Sequence, residues 1–260
     1  IGGPTGAFII IIYGIIEQYG LSGLTIATLM AGAFLILFGI LRLGTIIQYI
    51  PYPIVVGFTS GIAVTIFSTQ MTDFFGLEIE KVPSDFVEKW ICYFNNFSTI
   101  NFWSLAIGLL SLAIIVFLPR ISKKIPGSLI AIIVTTVVAV LLRQFAGIES
   151  IETIGDRFTI SSQIPEATMP SLTWATLKEL VPPAFTIAML GAIESLLSAT
   201  VADGVIGDRH NSNNELIGQG IANLVTPLFG GIPATGAIAR TMTNINNGGK
   251  TPISGIVHAL

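Results

Sequence analysis

The chain has 260 residues, of which 52% are hydrophobic and only 10% are Asp, Glu, Lys or Arg, and its mean hydropathy is +0.81. Because soluble globular proteins carry about 25% charged residues, this composition excludes a water-soluble globule and predicts an integral membrane protein. The net charge of −3 provides no basic surface for nucleic acid, and the single cysteine, Cys92, excludes an internal disulfide.

Six apolar stretches are long enough, or almost long enough, to cross a bilayer, whose 30 Å core needs about 20 residues of helix. In chain order, the predicted spans are 22–41, a span within 43–72, 102–118, 126–142, 180–202 and a short one at 216–229. The turn at 119–125 contains three basic residues and no acid, so the positive-inside rule places it in the cytoplasm. The acidic loops 73–100 and 149–179 are then outside; we expect an interfacial amphipathic helix at Ser84–Asn95 in the first and short strands in the second.

Two further segments are too short to cross the membrane alone. The first segment, Gly2–Ala7 (Gly-Gly-Pro-Thr-Gly-Ala), precedes the apolar stretch 8–16. The second segment, Gly230–Ala237, repeats Gly-Gly, Pro and Thr-Gly-Ala before another short helix. Paired short spans interrupted by Gly and Pro point to the binding site of a transporter. We interpret them as an inverted repeat, in which two half-helices start at the bilayer midplane and run in opposite directions.

A helix that starts inside the membrane offers its first N–H groups, with about half a positive charge, to an anion. The predicted anion site uses Thr5 and Thr235 as hydroxyl donors, while Gly6 and Gly236 let the backbone approach the ligand closely. The alternative is that both segments are ordinary loops between hairpin helices. Arg240 lies just over one turn into the second half-helix, where it supplements the anion site or extends toward the cytoplasm.

Glu194 is the one acidic residue within a predicted full span, and such residues are costly in lipid and rarely idle. Gly191, Glu194, Ser198 and Ala202 share one narrow helix face. A carboxylate and a hydroxyl one turn apart suit Na⁺, and a protonatable carboxylate suits H⁺ coupling equally well. The alternative is a structural carboxylate bonded to unwound backbone. We expect no other cofactor, and the sequence lacks the signatures of common enzymes.

Several motifs together resemble the sulfate permease (SulP) family of anion transporters. They are Glu194–Ser198 through Asp203, the pattern Asn-x-Glu-Leu-x-x-Gln-Gly-x-x-Asn from Asn213 to Asn223, Phe229–Pro233, Arg240-Thr241, Asn244–Thr251 and the opening Gly3–Gly6.

The resemblance implies a fourteen-helix, seven-plus-seven inverted repeat with core and gate domains, followed in most members by a cytoplasmic STAS domain. The fold class we predict is therefore an all-α polytopic membrane protein. Residues 1–45 and 148–260 would belong to the core and 46–147 to the gate, covering the third to tenth helices and the start of the eleventh. We expect an interior piece of a longer protein, without a STAS domain and unable to transport alone, because the family's first helix helps to line the site.

The resemblance also assigns roles to residues. Thr5, Ala234 and Thr235 would face the anion, although alanine is common in the family where Thr235 stands. Glu194 and Ser198 match an acid and a hydroxyl that bind sodium in cyanobacterial bicarbonate members; those residues are Asp and Thr, so proton coupling stays open here. Family members are often dimers, which implies a homodimer. We expect the protein in a bacterial inner membrane.

The function predicted from these observations is secondary active transport of a small anion, namely sulfate, bicarbonate or a dicarboxylate. Transport would be coupled to Na⁺ or H⁺ and would occur by alternating access, with the core moving against the gate. Two alternatives stay open: a nucleobase permease of the same fold, and a membrane protein that binds anions without transporting them.

Overall fold

The computed structural model describes residues 1–47, 52–83, 85–121, 127–148, 150–157, 167, 170 and 173–259. Predictions that rest on Ser84, Lys123, Lys124, Pro126 or 158–166 lie outside these residues. Within the described ranges the chain is mostly helical. The helices are α1 (Ile9–Ile40), α2 (Gly44–Ile47), α3 (Tyr52–Thr69), α4 (Met71–Phe75), α5 (Phe86–Asn95), α6 (Phe102–Ile121), α7 (Gly127–Ala146), α8 (Ile154–Arg157), α9 (Trp174–Ile206), α10 (Ser212–Val225), α11 (Ile238–Asn246) and α12 (Pro252–Ala259). Two short strands are β1 (Gly2–Gly3) and β2 (Thr235–Gly236), and 3-10 turns lie at Gly6–Phe8, Phe97–Thr99 and Thr226–Phe229.

The predicted membrane character agrees with these helices. Four helical stretches of the described chain are long and apolar enough to cross a bilayer: Gly6–Ile40, Phe102–Ile121, Gly127–Phe145 and Trp174–Ile206. The predicted half-helix and first span are joined in α1, which bends at Gly20 (φ 69°, ψ −173°). This left-handed conformation is accessible to glycine without strain, so the division predicted between 16 and 22 lies at Gly20.

Several predicted boundaries are wrong. Pro119 does not end its span, because α6 continues to Ile121, and α9 starts well before residue 180 with Pro182 and Pro183 inside it. Proline is tolerated in membrane helices where neighbouring groups satisfy the freed carbonyls. The short strands expected in 149–179 are also wrong where the chain is described, since Ile154–Arg157 is helical and α9 begins at Trp174.

The chain divides into two compact units, one formed by Ile1–Ile62 with Ile164–Leu260 and the other by Ala63–Gln163. In the first unit, α1 packs against α9 and α10. Gly32 and Gly220 face each other where α1 crosses α10: a methyl group on Gly220 would lie 2.7 Å from the Gly32 oxygen, and one on Gly32 2.8 Å from the Gly220 oxygen. Small residues permit such close backbone approach between membrane helices.

In the second unit, α6 and α7 pair with each other and α4 packs on α6. Asp85 caps α5 by accepting hydrogen bonds from the N–H groups of Val87 (2.9 Å) and Glu88 (3.2 Å), so the amphipathic helix predicted at 84–95 starts at Phe86. The boundaries near 62 and 163 separate groups of residues that pack together, and they do not identify a core or a gate. The assignment of 1–45 and 148–260 to a core and of 46–147 to a gate stays a prediction.

Candidate functional site

The two Gly-Pro segments meet each other in the folded chain. Strands β1 and β2 pair antiparallel, with Gly2 opposite Gly236 and Gly3 opposite Thr235. The Thr235 side chain at this ladder is fully buried. Hence the first and second segments come together as the repeat predicts, and the chain runs in opposite directions through them.

Each segment leads directly into the start of a helix. Thr5 precedes the 3-10 turn Gly6–Phe8 that opens α1, and Ala237 is the N-cap of α11; both have extended backbones, and neither position has a side-chain cap. The first intrahelical bond of α11 is donated by the N–H of Thr241 to the oxygen of Ala237. The earlier N–H groups of α11 therefore have no acceptor within their helix, which makes the helix start suitable for an anion.

The predicted substrate residue Thr5 and the predicted coupling residue Glu194 are in direct contact. Thr5 Oγ1 donates a 2.7 Å hydrogen bond to Glu194 Oε2. Thr235 Oγ1 donates to the backbone oxygen of Gly191, 2.8 Å away and about one turn before Glu194. Both threonine hydroxyls thus donate their protons to α9 and attach the two segments to that helix.

Glu194 and Ser198 have different partners although they share a face of α9. Ser198 Oγ donates to Thr241 Oγ1 on α11, at 3.1 Å. Gly236 lies against the same turn of α9: a Cβ placed on it would be 3.0 Å from Ser195 Cα and 3.2 Å from Ser198 Cβ. Glu194 therefore contacts the first segment and Ser198 the second, so no hydrogen bond joins the two predicted coupling residues.

The second segment is held at Ala234 by two side chains of α10. The N–H of Ala234 donates to Asn223 Oδ1 (2.9 Å), and the Ala234 oxygen accepts from Asn223 Nδ2 (2.8 Å) and from Gln219 Nε2 (2.5 Å). Asn223 is 1% exposed. Its amide thus pairs with both polar backbone groups of one residue, as a neighbouring strand would. Sequence reasoning found the motif that contains both residues but not this role.

Arg240 lies beside the ladder. Its Nη2 donates to the oxygen of Pro4 at 3.3 Å, and a Cβ on Gly3 would lie only 2.6 Å from its Nη1. Arg240 thus contacts the first segment, and its two predicted roles, supplementing the anion site or extending toward the cytoplasm, stay open. The permanent charge of the guanidinium therefore lies at the junction of the two half-helices.

Further polar contacts join α9 to α10 and to the turn that precedes α10. Ser195 Oγ donates to Glu215 Oε1 at 2.5 Å. In the turn, His210 Nδ1 lies 2.7 Å from Asp203 Oδ2, and Ser212 Oγ lies 3.0 Å from His210 Nε2. The Glu215 contact was not predicted, because the sequence offered no signal beyond the motif itself.

The sequence model of the sulfate permease family matches residues 1–260. The chain belongs to the sulfate permease family. Among curated members, YvdB of Bacillus subtilis (strain 168), provisionally named a sulfate transporter, is 46% identical over 261 residues, which cover 100% of this chain and 48% of YvdB.

The bicarbonate transporter BicA of Picosynechococcus sp. is 36% identical over 267 residues, which cover 98% of this chain and 46% of BicA. The chain thus spans about half the length of these sulfate permease relatives. A solved transmembrane domain of a cyanobacterial BicA matches with a TM-score of 0.84 at 30% identity, covering 100% of this chain and 66% of that one. SLC26A9 matches with a TM-score of 0.80 at 18% identity, covering 98% of this chain and 44% of that one, and this shows the fold alone.

As a sulfate permease family member, the chain adopts part of an all-α inverted-repeat transporter fold. Its bacterial relatives and apolar helices place it in a bacterial inner membrane. The roles of Thr5, Gly6, Ala234, Thr235, Gly236 and Arg240 in binding an anion, and of Glu194 and Ser198 in binding a cation, stay predictions.

Proposed function

We propose that the full-length protein is a secondary active transporter of a small anion, namely sulfate, bicarbonate or a dicarboxylate, that works by alternating access. The β1–β2 ladder carries this proposal, because it brings the starts of two half-helices together. The names of the relatives support the substrate class: BicA is a bicarbonate transporter, and a mouse relative, 26% identical over 255 residues, is sulfate anion transporter 1. Because the chain covers about half of its relatives, the activity belongs to the longer protein.

The anion would lie against the helix starts that follow the two segments, at Thr5 and Gly6 on one side and at Ala234, Thr235 and Gly236 on the other. Uncapped N–H groups donate there, and each helix end contributes about half a positive charge. Arg240, bonded to the oxygen of Pro4, adds a full positive charge beside the ladder. Together these groups hold a small oxyanion without a cationic residue inside a full span.

A coupling cation, Na⁺ or H⁺, would act at Glu194, with Ser198 one turn further along α9. The bond from Thr5 to Glu194 supports this, because it places a negative charge next to the anion segment. Two unit charges about 6 Å apart repel by about 3 kcal/mol at an effective dielectric constant of about 20, which corresponds to roughly a hundredfold in affinity. A cation on Glu194 removes that repulsion and so favours anion binding.

The proposal is tested with the full-length protein in liposomes. Uptake of radiolabelled sulfate, bicarbonate and succinate is measured with an inward Na⁺ gradient, with a pH gradient and with neither. We expect saturable uptake of one anion that a gradient accelerates. Thr5→Asp should abolish anion binding, because it places a carboxylate beside Glu194, whereas Thr45→Asp, an exposed residue bonded to the Arg42 oxygen, should not. Glu194→Gln should keep anion binding and remove the response to the gradient.

The absence of saturable anion uptake under all three conditions would refute transport. Uptake of uracil in place of these anions would identify a nucleobase permease of the same fold. The homodimer implied by the resemblance stays a separate proposal, which is tested by the mass of the detergent-solubilised protein.

A further inference from the structure

Helix α5 of the second unit buries a face that carries polar side chains. The two buried residues of the helix are Lys89 and Tyr93, which are 8% and 4% exposed. They are four residues apart, so they lie on one face with their Cβ atoms about 5–6 Å from each other. Four apolar side chains of the helix are exposed instead: Phe86, Val87, Ile91 and Phe94. The ammonium of α5 is therefore on the face that packs against protein.

This buried face packs against α3. Trp90 Nε1 donates a 3.1 Å hydrogen bond to Ser68 Oγ, and that hydroxyl donates to the oxygen of Val64 at 2.8 Å. The rings of Trp90 and Tyr93 lie 5.8 Å apart and are inclined by 74°. Ser68 is fully buried. These contacts hold the Tyr93 ring in place beneath the helix.

Neither polar group of this face has a partner among the described residues. Tyr93 Oη is buried and forms no hydrogen bond, and the Lys89 ammonium forms no ion pair or hydrogen bond there. Asp85, one turn before Lys89, caps the helix by accepting from the N–H groups of Val87 and Glu88. Burying a charge or a hydroxyl without a partner is costly, and a bound anion that accepts hydrogen bonds offsets this cost.

The two groups also determine which ligand fits. An ammonium offers three donors and no acceptor, and a phenol offers one donor. A phosphate-type oxyanion carries several oxygens and can accept from both, and its bonds to an ammonium are charge-assisted. Because the sequence places the loop 73–100 outside, both the phosphates of outer-leaflet lipids and free ions reach this helix.

We propose that Lys89 and Tyr93 form a site for a phosphate-type oxyanion on the buried face of α5, supplied by a phospholipid headgroup or by a free ion. The bound group would hold α5 against α3. The site belongs to the second unit, whereas Thr5, Thr235 and Arg240 belong to the first. It is therefore separate from the anion site of the proposed function, and its existence does not depend on transport.

The experiment uses the purified full-length protein with Thr5→Asp, which removes anion binding at the ladder, and follows the midpoint of thermal unfolding. In one arm, delipidated protein in dodecylmaltoside is titrated with sodium phosphate, which replaces sodium gluconate at constant ionic strength and pH. In the other arm, it is titrated with phosphatidylglycerol or with a galactolipid of the same acyl chains. We expect a saturable rise in at least one phosphate-containing titration and none with the galactolipid. A rise with phosphate alone identifies a free ion, and a rise with phosphatidylglycerol alone identifies a headgroup.

Single substitutions separate the two donors. Lys89→Met removes the charge at similar side-chain volume and should abolish the rise. Tyr93→Phe removes only the hydroxyl and should raise the half-saturating ligand concentration about tenfold, as expected for a hydrogen bond to a charged group. Without ligand, neither substitution should lower the midpoint, because each removes a buried polar group that has no partner. The matched control is Lys178→Met, at an exposed lysine above the Trp174 ring, which should keep the rise.

The oxyanion site is overturned if the midpoint rises in neither arm, if the rise survives Lys89→Met, or if Lys178→Met abolishes it equally. A lower midpoint of ligand-free Tyr93→Phe would also contradict it, because the hydroxyl would then have a partner within the protein. Both arms are repeated without Thr5→Asp, and the difference caused by Lys89→Met should be the same. Anion uptake is measured on that unsubstituted protein. A rise without uptake supports the site and contradicts the transport proposal, whereas uptake without a rise does the opposite.

Discussion

The crossing of α1 and α10 predicts that Gly220→Ala destabilises the protein. The new methyl group would lie 2.7 Å from the Gly32 oxygen and 2.8 Å from the backbone nitrogen of Ile36. Both obstacles are backbone atoms, which cannot move aside as a side chain can, so the two helices must separate. Because α1 and α10 form much of the first unit's packing, separating them lowers the stability of that unit. It also displaces α10, the helix that carries Asn223 and Glu215.

The magnitude follows from two opposing effects. Overpacking a well-packed contact costs about 1–3 kcal/mol, and we expect the upper end here because both helix backbones must shift. Replacing glycine by alanine inside a helix contributes about 1 kcal/mol in the opposite direction. The net expectation for Gly220→Ala is therefore a loss of about 2 kcal/mol in unfolding free energy.

Gly218 supplies the matched control on the same helix. A Cβ there would meet nothing within 4 Å, so Gly218→Ala should keep the helix-propensity gain of about 0.5–1 kcal/mol. Unfolding of both variants is followed by circular dichroism in dodecylmaltoside with increasing sodium dodecyl sulfate. If Gly220→Ala were as stable as Gly218→Ala, the close glycine crossing would not exist as described.

Two further predictions concern single polar side chains. Asn223→Ala should lower the unfolding free energy by about 2 kcal/mol in the same assay, because it leaves the N–H of the half-buried Ala234 without an acceptor. Asn214→Ala, an exposed change on the same helix, should have little effect, and equal losses would contradict the argument. Hydrogen bonds from Arg143 hold the pKa of Asp156 well below its usual range, so the carboxylate stabilises α8 above about pH 4 and this contribution fades as pH falls toward the lowered value. Amide exchange in α8 should therefore be faster in Asp156→Asn than in the wild type at pH 7 and should converge with it in acid; a difference that grows in acid would contradict this sign.

Local composition was sufficient to predict the main elements and the pairing of the two segments. Backbone that is interrupted by Gly and Pro inside the membrane must still find hydrogen-bond partners, which restricts the conformations it can adopt. The repeat of Gly-Gly, Pro and Thr-Gly-Ala therefore indicated that Thr5 and Thr235 would approach each other. Helix ends were predicted less well. Hydropathy reports where a helix contacts lipid and not where it stops, and α9 therefore extends beyond residues 180–202 at both ends.

The partners of individual side chains could not be predicted from spacing. Glu194 and Ser198 share a helix face, which suggested a common ligand. Glutamate has three side-chain torsions, however, and reaches Thr5, whereas the short Ser198 side chain reaches only Thr241. The role of Asn223 could not be predicted either, because its partner is the backbone of Ala234. Every residue has the same backbone groups, so the sequence does not indicate which of them a side chain will bind.

The ladder between β1 and β2 also determines the order in which the protein can assemble. Gly3 is synthesised well before its partner Thr235. The polar backbone groups of β1 therefore cannot pair with β2 until almost all of the intervening chain has been inserted into the membrane. Contacts between such distant residues form slowly, because a long loop must close first. The junction of the two segments thus forms later than the helices that lie between them in the sequence, and a chain that terminates before residue 235 presents α1 to the membrane with an unpaired strand at its start.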